Sequence, residues 1–408
     1  MGSGTNVLGC SLNQCLLPRM RISSTMEHQK QQLLPPAVVA MPFPMTTSAP
    51  PALEHRRRSL QIQVKKLQST ATENHSGPSP ALVVERTSTS SNNVVTTQQF
   101  EDTIADLWQR MDFQLPVLHF GASTLESVLE YFASLNLSEE LMHRITEFAP
   151  MGVNFADMIY ASSSRADRIY CGTFTTYFFI LDGLENLDDL VNFRYRLQNG
   201  LPQPNIILQH FTTFLQSTDK HFGRYGTDMI FKSVFDLVSA SALELMPEVL
   251  NLDSPPKSAT LFPTFFRHKT GISEAYGTFI FPEERMPEKK FLAQYLFAMP
   301  DLINMIDQVN DVFSFYKESV VGLERCNWIY NQANIHGVSP LEALQAACDN
   351  VIDNLRRARL TLSVNPALAK SLEEFTQGYI AWHMWNPRYR FAELKVASPG
   401  YATKVRED

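Results

Sequence analysis

Several features that mark common protein classes are scarce in this chain of 408 residues. Its five cysteines are odd in number and widely scattered, so they indicate neither a disulfide framework nor a zinc site. No apolar run approaches the roughly 18 residues that a membrane-spanning helix needs. The start of the sequence also lacks the basic and then apolar pattern of a secretory signal. These absences predict a reduced, cytoplasmic protein without a transmembrane segment.

Charge and local pattern exclude further classes. The formal net charge of −7 gives no reason to expect binding to nucleic acid. The sequence contains no internal repeat and no glycine-rich phosphate loop, and the alternation typical of strands is nearly absent. A composition that is 44% hydrophobic and 11% aromatic is ample for a sizeable core. The pattern therefore favours a helical protein.

From Phe100 onward, apolar residues recur at the three-to-four spacing of helices, with proline and glycine clustered between the periodic segments. We expect one all-α domain over residues 100–395 and a C-terminal tail over residues 396–408. The spacing predicts helices over residues 101–111, 124–135, 138–148, 156–181, 206–223, 227–245, 289–318, 340–362 and 366–385.

The first 99 residues differ from the rest of the chain. They hold nine of the 24 prolines, no Trp or Tyr, and a single Phe, Phe43. Such a segment cannot bury enough apolar area to offset the entropy lost on ordering. The composition predicts a low-complexity, disordered N-terminal tail over residues 1–99.

Asn310, Ser314 and Glu318 recur at i, i+4 and i+8. On an α-helix of roughly 3.6 residues per turn, their oxygen-bearing side chains share one face, with Lys317 on the adjoining edge. Mg²⁺ prefers such hard oxygen ligands and shares them with substrate phosphates. The alternative is a polar stripe on a solvated helix, but the apolar residues 291–309 indicate a helix buried on most sides. The three residues are therefore candidate metal ligands.

A second acidic cluster begins at Asp182, which follows five large apolar residues, 177–181. Asp188 and Asp189 lie just beyond it, and we interpret them as ordinary helix-terminus residues. Because Asp182 follows this run of apolar residues, we interpret it as a functional residue. One carboxylate on each of two helices, facing across a cavity, would hold a cluster of Mg²⁺ ions between them.

Two basic segments are candidates for phosphate binding. Arg267 follows two aromatic residues and precedes Gly271, which can end a helix, and Arg388 and Tyr389 lie near the C-terminus. Arginine matches phosphate oxygens bidentately, and a phenol adds a neutral donor. Taken singly, each arginine is also explained by a surface salt bridge.

Together these segments resemble a known family. The stretch from Asn310 to Glu318 is similar to the second metal motif of class I terpene cyclases. Its residues resemble those that this motif has in the fungal trichodiene-synthase family. Leu181-Asp182 resembles the start of that family's aspartate-rich motif. Residues 378–383, leading to Arg388 and Tyr389, are similar to its C-terminal Arg-Tyr segment. The resemblance covers roughly residues 100–395 and implies a single helical bundle with a central active-site cavity.

The resemblance implies a sesquiterpene cyclase, a carbon–oxygen lyase that ionises farnesyl diphosphate and cyclises the carbocation. Three Mg²⁺ ions would be held by Asp182 on one side and by Asn310, Ser314 and Glu318 on the other. The diphosphate would be bound by the basic residues and the phenol that match the family's motifs, Arg267, Lys317, Arg388 and Tyr389. Aromatic candidates for stabilising the cation, with core packing as the alternative, are Tyr177, Phe178, Trp382 and Trp385.

One departure from the family pattern is Gly183, which stands where a second aspartate is usual. It supports a non-catalytic helical binding protein as one alternative. A chain-elongating prenyltransferase is another, although it would normally carry two Asp-rich motifs. The departure also suggests a paralogue that makes a different sesquiterpene, with longiborneol, a cyclic alcohol, as one candidate. A homodimer is left open.

Overall fold

The computed structural model describes residues 94–116, 118–119, 121–184, 186–246, 249, 255–397 and 405–406. Most of the predicted N-terminal tail, residues 1–93, lies outside them. The α-helices of the described residues are α1 (Thr97–Met111), α2 (Ala122–Ala133), α3 (Glu139–Ile159), α4 (Arg165–Leu181), α5 (Leu187–Val191), α6 (Phe193–Gln198), α7 (Ile206–Leu215), α8 (Arg224–Leu245), α9 (Phe262–Thr270), α10 (Ser273–Thr278), α11 (Glu288–Tyr295), α12 (Met299–Phe315), α13 (Trp328–His336), α14 (Pro340–Leu362) and α15 (Pro366–Trp385).

The all-α prediction is confirmed. The described residues also contain two short strands, β1 (Leu118–His119) and β2 (Val405–Arg406), which pair in parallel. Helix α1 begins at Thr97, inside the segment predicted as tail, because the Thr96 hydroxyl accepts a hydrogen bond from the backbone N–H of Gln99 and caps the helix. None of the described helices is long and apolar enough to cross a membrane.

The single helix predicted over residues 156–181 is wrong. Helix α3 continues through Pro150 to Ile159, and α4 begins only after Ser164. The Ser164 hydroxyl accepts a hydrogen bond from the backbone N–H of Asp167 at 3.2 Å. Serine favours such a cap over a helix interior, so the polar residues 162–164 separate two helices that apolar spacing alone joins.

The helix predicted over residues 289–318 is also interrupted. Helix α11 ends at Tyr295, a 3₁₀ turn covers Leu296–Ala298, and Pro300 then stands in the first turn of α12, where its missing N–H costs no hydrogen bond. Helix α12 ends at Phe315 and passes into a π-helical turn, Tyr316–Val320. The candidate metal residues therefore span two kinds of helical turn.

The helices that carry the candidate site are in close contact. Helix α3 packs against α4 and α15, and α12 packs against α14. At Gly378 in α15, an added Cβ atom would lie 2.2 Å from the backbone oxygen of Met158 in α3. Glycine therefore allows these two backbones to approach closely, and α15 delivers the chain to Arg388 and Tyr389 just beyond its end.

Candidate active site

A hydrogen-bond network centred on Asn310 joins three predicted site residues from distant parts of the chain. The Arg267 guanidinium donates through Nη2 to Asn310 Oδ1 at 3.0 Å. The Asn310 amide nitrogen donates to the Tyr389 hydroxyl at 2.9 Å and lies 3.2 Å from Nε2 of His383. Helices α9, α12 and α15 and the turn after α15 thus converge on one amide group.

Two carboxylates, the buried Asp307 and the half-buried Asp311, hold Arg267 in place. Its Nε donates to Asp311 Oδ1 at 2.8 Å, and its Nη1 lies 3.2 Å from Asp307 Oδ1. Burial opposes the charge of Arg267, but Asp311 and Asp307 outweigh it and raise the pKa of the guanidinium. Gly271 caps α9 here, and a Cβ atom at this position would lie 2.0 Å from Asp307 Oδ1. The predicted helix break is therefore also a space requirement of the ion pairs.

Asp311 experiences opposing influences. Burial raises the pKa of its carboxyl group to about 7, with Arg267 lowering it and Asp307 raising it further. Its second oxygen, Oδ2, is buried and has no hydrogen-bond partner among the described residues. Asp307 is only 3% exposed, and its Oδ2 also accepts a hydrogen bond from Nδ1 of His268 at 2.8 Å. Beside Asn310, the Arg267 guanidinium is thus paired with two carboxyl groups, those of Asp307 and Asp311.

Glu318 lies in the π-helical turn and has partners for both carboxylate oxygens. Lys317 Nζ donates to Oε1 at 2.6 Å, and Asn327 Nδ2 donates to Oε2 at 3.2 Å. The Lys317 ammonium also lies 5.9 Å from the centroid of the Tyr389 ring. Lys317 and Glu318 are therefore placed beside the Asn310 network.

The π turn affects whether Asn310, Ser314 and Glu318 share one face of the helix, as the sequence predicts. In a continuous α-helix each i+4 step rotates by about 40° beyond a full turn, so two steps drift by about 80°. The wider π turn reduces this drift in its second step. Ser314 is 5% exposed, and Glu318 follows it through the turn. A π turn at this point keeps the third residue closer to the face of the first two.

Asp182 caps the C-terminal end of α4 and is half-buried. Burial raises the pKa of Tyr276, and the charges of Tyr389 and Asp182 raise it further. Arg144 of α3 lies beside Gly183, since a Cβ atom at Gly183 would be 3.0 Å from Arg144 Nη2. Glu185, next in the cluster, lies outside the described residues.

Arg388 and Tyr389 lie in a 3₁₀ turn, Pro387–Tyr389. The backbone N–H of Arg388 donates a hydrogen bond to the side-chain oxygen of Asn386 at 3.0 Å, which caps the turn. Tyr389 is 3% exposed. Burial raises the pKa of its phenol to about 12, and the positive charge of Arg388 opposes the shift. Tyr389 is therefore a neutral hydrogen-bonding group at neutral pH, with a guanidinium near it.

The oxygen donors fit Mg²⁺ better than a softer metal. No group of three or more His, Cys, Asp or Glu side chains suited to a metal occurs among the described residues. The candidate ligands Asp182, Asn310, Ser314 and Glu318 instead supply carboxylate, amide and hydroxyl oxygens. Mg²⁺ accepts such incomplete sets because it keeps waters and takes substrate phosphates as further ligands.

The aromatic candidates lie in or against the core. Tyr177 is fully buried and shares a hydrogen bond of 3.0 Å with the hydroxyl of Tyr131. Trp382 donates to the backbone oxygen of Met151 at 3.3 Å, and Trp385 is half-buried. Phe178 is half-buried and packs edge-on against Tyr276, with ring centroids 6.2 Å apart. Trp382 is in direct contact with the network, with its ring centroid 5.5 Å from that of Tyr389. A role in stabilising a cation stays a prediction for all four.

Sequence reasoning missed Asp307, His268 and His383. Asp307 and Asp311 are four residues apart on a helix recognised as buried, and this spacing was a usable signal for a pair of partners to Arg267. His383 lies inside a segment noted only for its likeness to the family. Nothing in its local sequence indicates that it faces Asn310, because that contact depends on how α12 and α15 pack.

In sequence, the chain matches a known family and is similar to known proteins. The sequence model of the trichodiene synthase (TRI5) family matches residues 151–401, which includes every predicted site residue. The chain is similar to the (E)-beta farnesene synthase of Metarhizium brunneum, with 30% identity over 306 residues, covering 74% of this chain and 92% of that protein. It is also similar to the longiborneol synthase CLM1 of Gibberella zeae, with 28% identity over 293 residues, covering 71% of this chain and 84% of that protein.

Among solved structures, the linalool/nerolidol synthase from Streptomyces clavuligerus matches with a TM-score of 0.50 and 19% sequence identity, covering 66% of this chain and 99% of that chain. At this identity the match supports the helical fold alone. The family match carries more, since it spans the residues of the network from Arg267 to Tyr389. The chain belongs to the trichodiene synthase family and is a terpene synthase, a lyase that acts on a diphosphate.

Proposed function

We propose that the protein is a Mg²⁺-dependent sesquiterpene synthase that ionises farnesyl diphosphate and cyclises the resulting carbocation. The observation that carries the proposal is the hydrogen-bonded set of Arg267, Asn310 and Tyr389. In this set a predicted diphosphate arginine and a predicted diphosphate phenol each lie within hydrogen-bonding distance of the predicted metal ligand Asn310. Family membership favours this function over the binding protein and the prenyltransferase.

Ionisation breaks the bond between C1 of the isoprenoid and the diphosphate oxygen, which keeps the electron pair. Arg267, Lys317 and Arg388 would bind the leaving diphosphate through charge-assisted hydrogen bonds, and Tyr389 would add a neutral donor. These groups lie on α9, on the π turn and after α15, so their convergence on one anion would draw three elements together. Such closure would exclude water from the carbocation.

Asp182 would hold Mg²⁺ on one side of the diphosphate, and Asn310, Ser314 and Glu318 would hold it on the other, with three ions in all. When bound, Mg²⁺ neutralises the negative charge that develops on the leaving group. Glu318 would exchange its contact with Lys317 for a metal, which frees the ammonium for the diphosphate. We also propose that the enzyme is cytoplasmic. A homodimer is compatible with this proposal.

The product is the finer part of the proposal. One similar protein is named for an acyclic sesquiterpene, (E)-beta-farnesene, and another for longiborneol. The contour of the cavity decides between early loss of a proton and further cyclisation. We propose a cyclic hydrocarbon or alcohol, and an acyclic product would place the enzyme with the first relative instead.

The test is incubation of the purified protein with farnesyl diphosphate and Mg²⁺, with and without EDTA, followed by gas chromatography and mass spectrometry. We expect a volatile product that requires Mg²⁺. Asp182→Ala and Asn310→Ala should each lower turnover by at least about 10²-fold. Each removes a ligand of the Mg²⁺ that would stabilise the charge developing in the transition state. Inorganic diphosphate release gives a second measure of the same step.

Asp188→Ala is the matched control for Asp182→Ala, because it removes an exposed aspartate from the adjacent helix α5. It should retain the turnover of the unsubstituted protein. Absence of turnover with farnesyl diphosphate and with its C10 and C20 counterparts would overturn the proposal. A product formed equally well in EDTA would overturn its metal dependence.

A further inference from the structure

The amide of Asn310 uses all of its polar atoms in directed contacts. Its nitrogen, Nδ2, lies 2.9 Å from the Tyr389 hydroxyl and 3.2 Å from His383 Nε2, so both N–H groups have an acceptor. Its oxygen, Oδ1, accepts from Arg267 Nη2 at 3.0 Å. The oxygen therefore faces Arg267 of α9, and the nitrogen faces α15 and the turn beyond it.

The chemistry of the partners fixes this orientation. A guanidinium only donates hydrogen bonds, so the amide atom that faces Arg267 must be the oxygen. The nitrogen then faces His383, and Nε2 of that ring must be the acceptor. His383 Nδ1 lies 2.7 Å from the backbone oxygen of Tyr379, which only accepts, so the ring proton is on Nδ1. Each hydrogen bond from the Tyr379 carbonyl through His383 and Asn310 to Arg267 therefore joins one donor to one acceptor.

The His383 ring itself is held firmly. It is fully buried, and it packs edge-on against Tyr379 and Trp382, with ring centroids 4.5 and 4.9 Å away. The Tyr379 carbonyl belongs to the preceding turn of the same helix, α15. The ring therefore presents Nε2 to Asn310 from a rigid element and not from a loop.

We propose that His383 is a positioning residue that locks the Asn310 amide with its oxygen toward the bound cation. The inference rests on the proposed function, in which Asn310 Oδ1 is a ligand to Mg²⁺. The terminal torsion of an asparagine is broad and roughly two-fold, so an unrestrained amide presents either oxygen or nitrogen. Mg²⁺ takes oxygen ligands, so the flipped amide offers it nothing.

Among the contacts of the amide, His383 is the one without a part in substrate binding. Arg267 and Tyr389 are both assigned to the diphosphate, and each would exchange Asn310 for phosphate oxygens when substrate enters. His383 would then remain as the group that orients the amide while Mg²⁺ is bound. A partner of this kind, which holds a metal ligand from behind, is typically worth 10- to 100-fold in metal affinity.

The experiment compares His383→Gln with His383→Met in the full chain. The two side chains have the same length and both lose the ring, but glutamine keeps an amide oxygen near the place of Nε2, whereas a thioether is a weak acceptor. Mg²⁺ binding is measured by isothermal titration calorimetry in the presence of inorganic diphosphate. We expect the methionine variant to bind Mg²⁺ about tenfold or more weakly than the unsubstituted protein, and the glutamine variant to recover most of that loss.

Two outcomes would overturn the positioning role while the proposed function stands. One is equal Mg²⁺ affinity in all three proteins, and another is an equal loss in both variants, which would assign the ring to packing alone. A cooperative unfolding transition, measured on each protein without metal, checks that the variants are folded. If His383→Met does not fold, His383→Asn replaces it, since it keeps a donor toward Tyr379 and loses the acceptor. Failure of the unsubstituted protein to bind Mg²⁺ with diphosphate would overturn the proposed function as well.

Discussion

Position 183 shows how a single residue changes the charge balance of the site. Glycine leaves the Arg144 guanidinium beside the start of the aspartate-rich motif, with Nη2 3.0 Å from the place of a Cβ atom. Gly183 is not among the described residues with positive φ, so its backbone accepts other side chains. Since the atom in the way is the far end of a flexible side chain, a substitution there displaces Arg144 and not the backbone.

Gly183→Asp should place a carboxylate next to Arg144, and Gly183→Asn is its uncharged control of the same shape. We expect the aspartate variant to exceed the asparagine variant in free energy of unfolding by up to about 1 kcal/mol, since the pair is partly exposed. Chemical denaturation at low salt measures the difference. In an Arg144→Ala background the difference should vanish, and its persistence there would show that Arg144 is not the partner.

At the scale of elements, close contact between helix backbones positions the site. Gly378 brings α15 against α3, where a Cβ atom would meet the backbone of Met158 and Ile159 at 2.2 and 2.8 Å. Backbone atoms cannot move aside as side chains do. The position of α15 relative to α3 therefore depends on this glycine, and with it the placement of His383 and Tyr389.

Gly378→Ala should lower the free energy of unfolding by about 1–3 kcal/mol or more, as overpacking of a tight core does. Gly172→Ala in α4 is the matched control, because its Cβ atom would stand at 3.4 Å from the Cα atom of Val153, an ordinary contact. Alanine has the higher helix propensity by up to about 1 kcal/mol, so the control should be neutral or stabilising. Equal destabilisation of both variants would contradict the close-packing account.

At the scale of the whole molecule, α1 contributes to the core next to the site although it precedes the family match, which starts at residue 151. Phe100 is fully buried and lies 5.4 Å from the ring of Tyr316 and 6.1 Å from that of Phe391. Arg359 of α14 donates to the backbone oxygen of Met111 at the end of α1, at 3.1 Å. Helix α1 is thus part of the packing behind the π turn.

A chain that starts at Val94 should unfold within a few degrees of the full chain and give the same product. A chain that starts at Phe113 lacks α1 and should be much less stable, because burial of each large apolar side chain contributes about 1.5–3 kcal/mol. Thermal unfolding and product analysis of the two proteins check this. Similar melting temperatures for both truncated chains would show that α1 is dispensable.

The sequence alone determined the helical class, the candidate ligands and the family. Local spacing suffices for these, because three-to-four periodicity reports a buried face, and the order of motifs from Asp182 to Tyr389 is specific in combination. It failed at residues 160–164 and at residues 296–300, where a serine cap and a proline divide helices that apolar spacing joins. The sequence contained both signals, but they compete with a stronger periodic pattern.

Only the tertiary structure decided which groups touch. Arg267, Asn310 and His383 are separated by 43 and 73 residues, and their contacts depend on the packing of α9, α12 and α15. The π turn at Tyr316–Val320 and the space left at Gly271 and Gly378 are likewise products of packing. Periodicity along a chain reports which face of a helix is buried. It does not report which side chain of another helix that face meets, because that depends on the angle and depth at which the two helices pack.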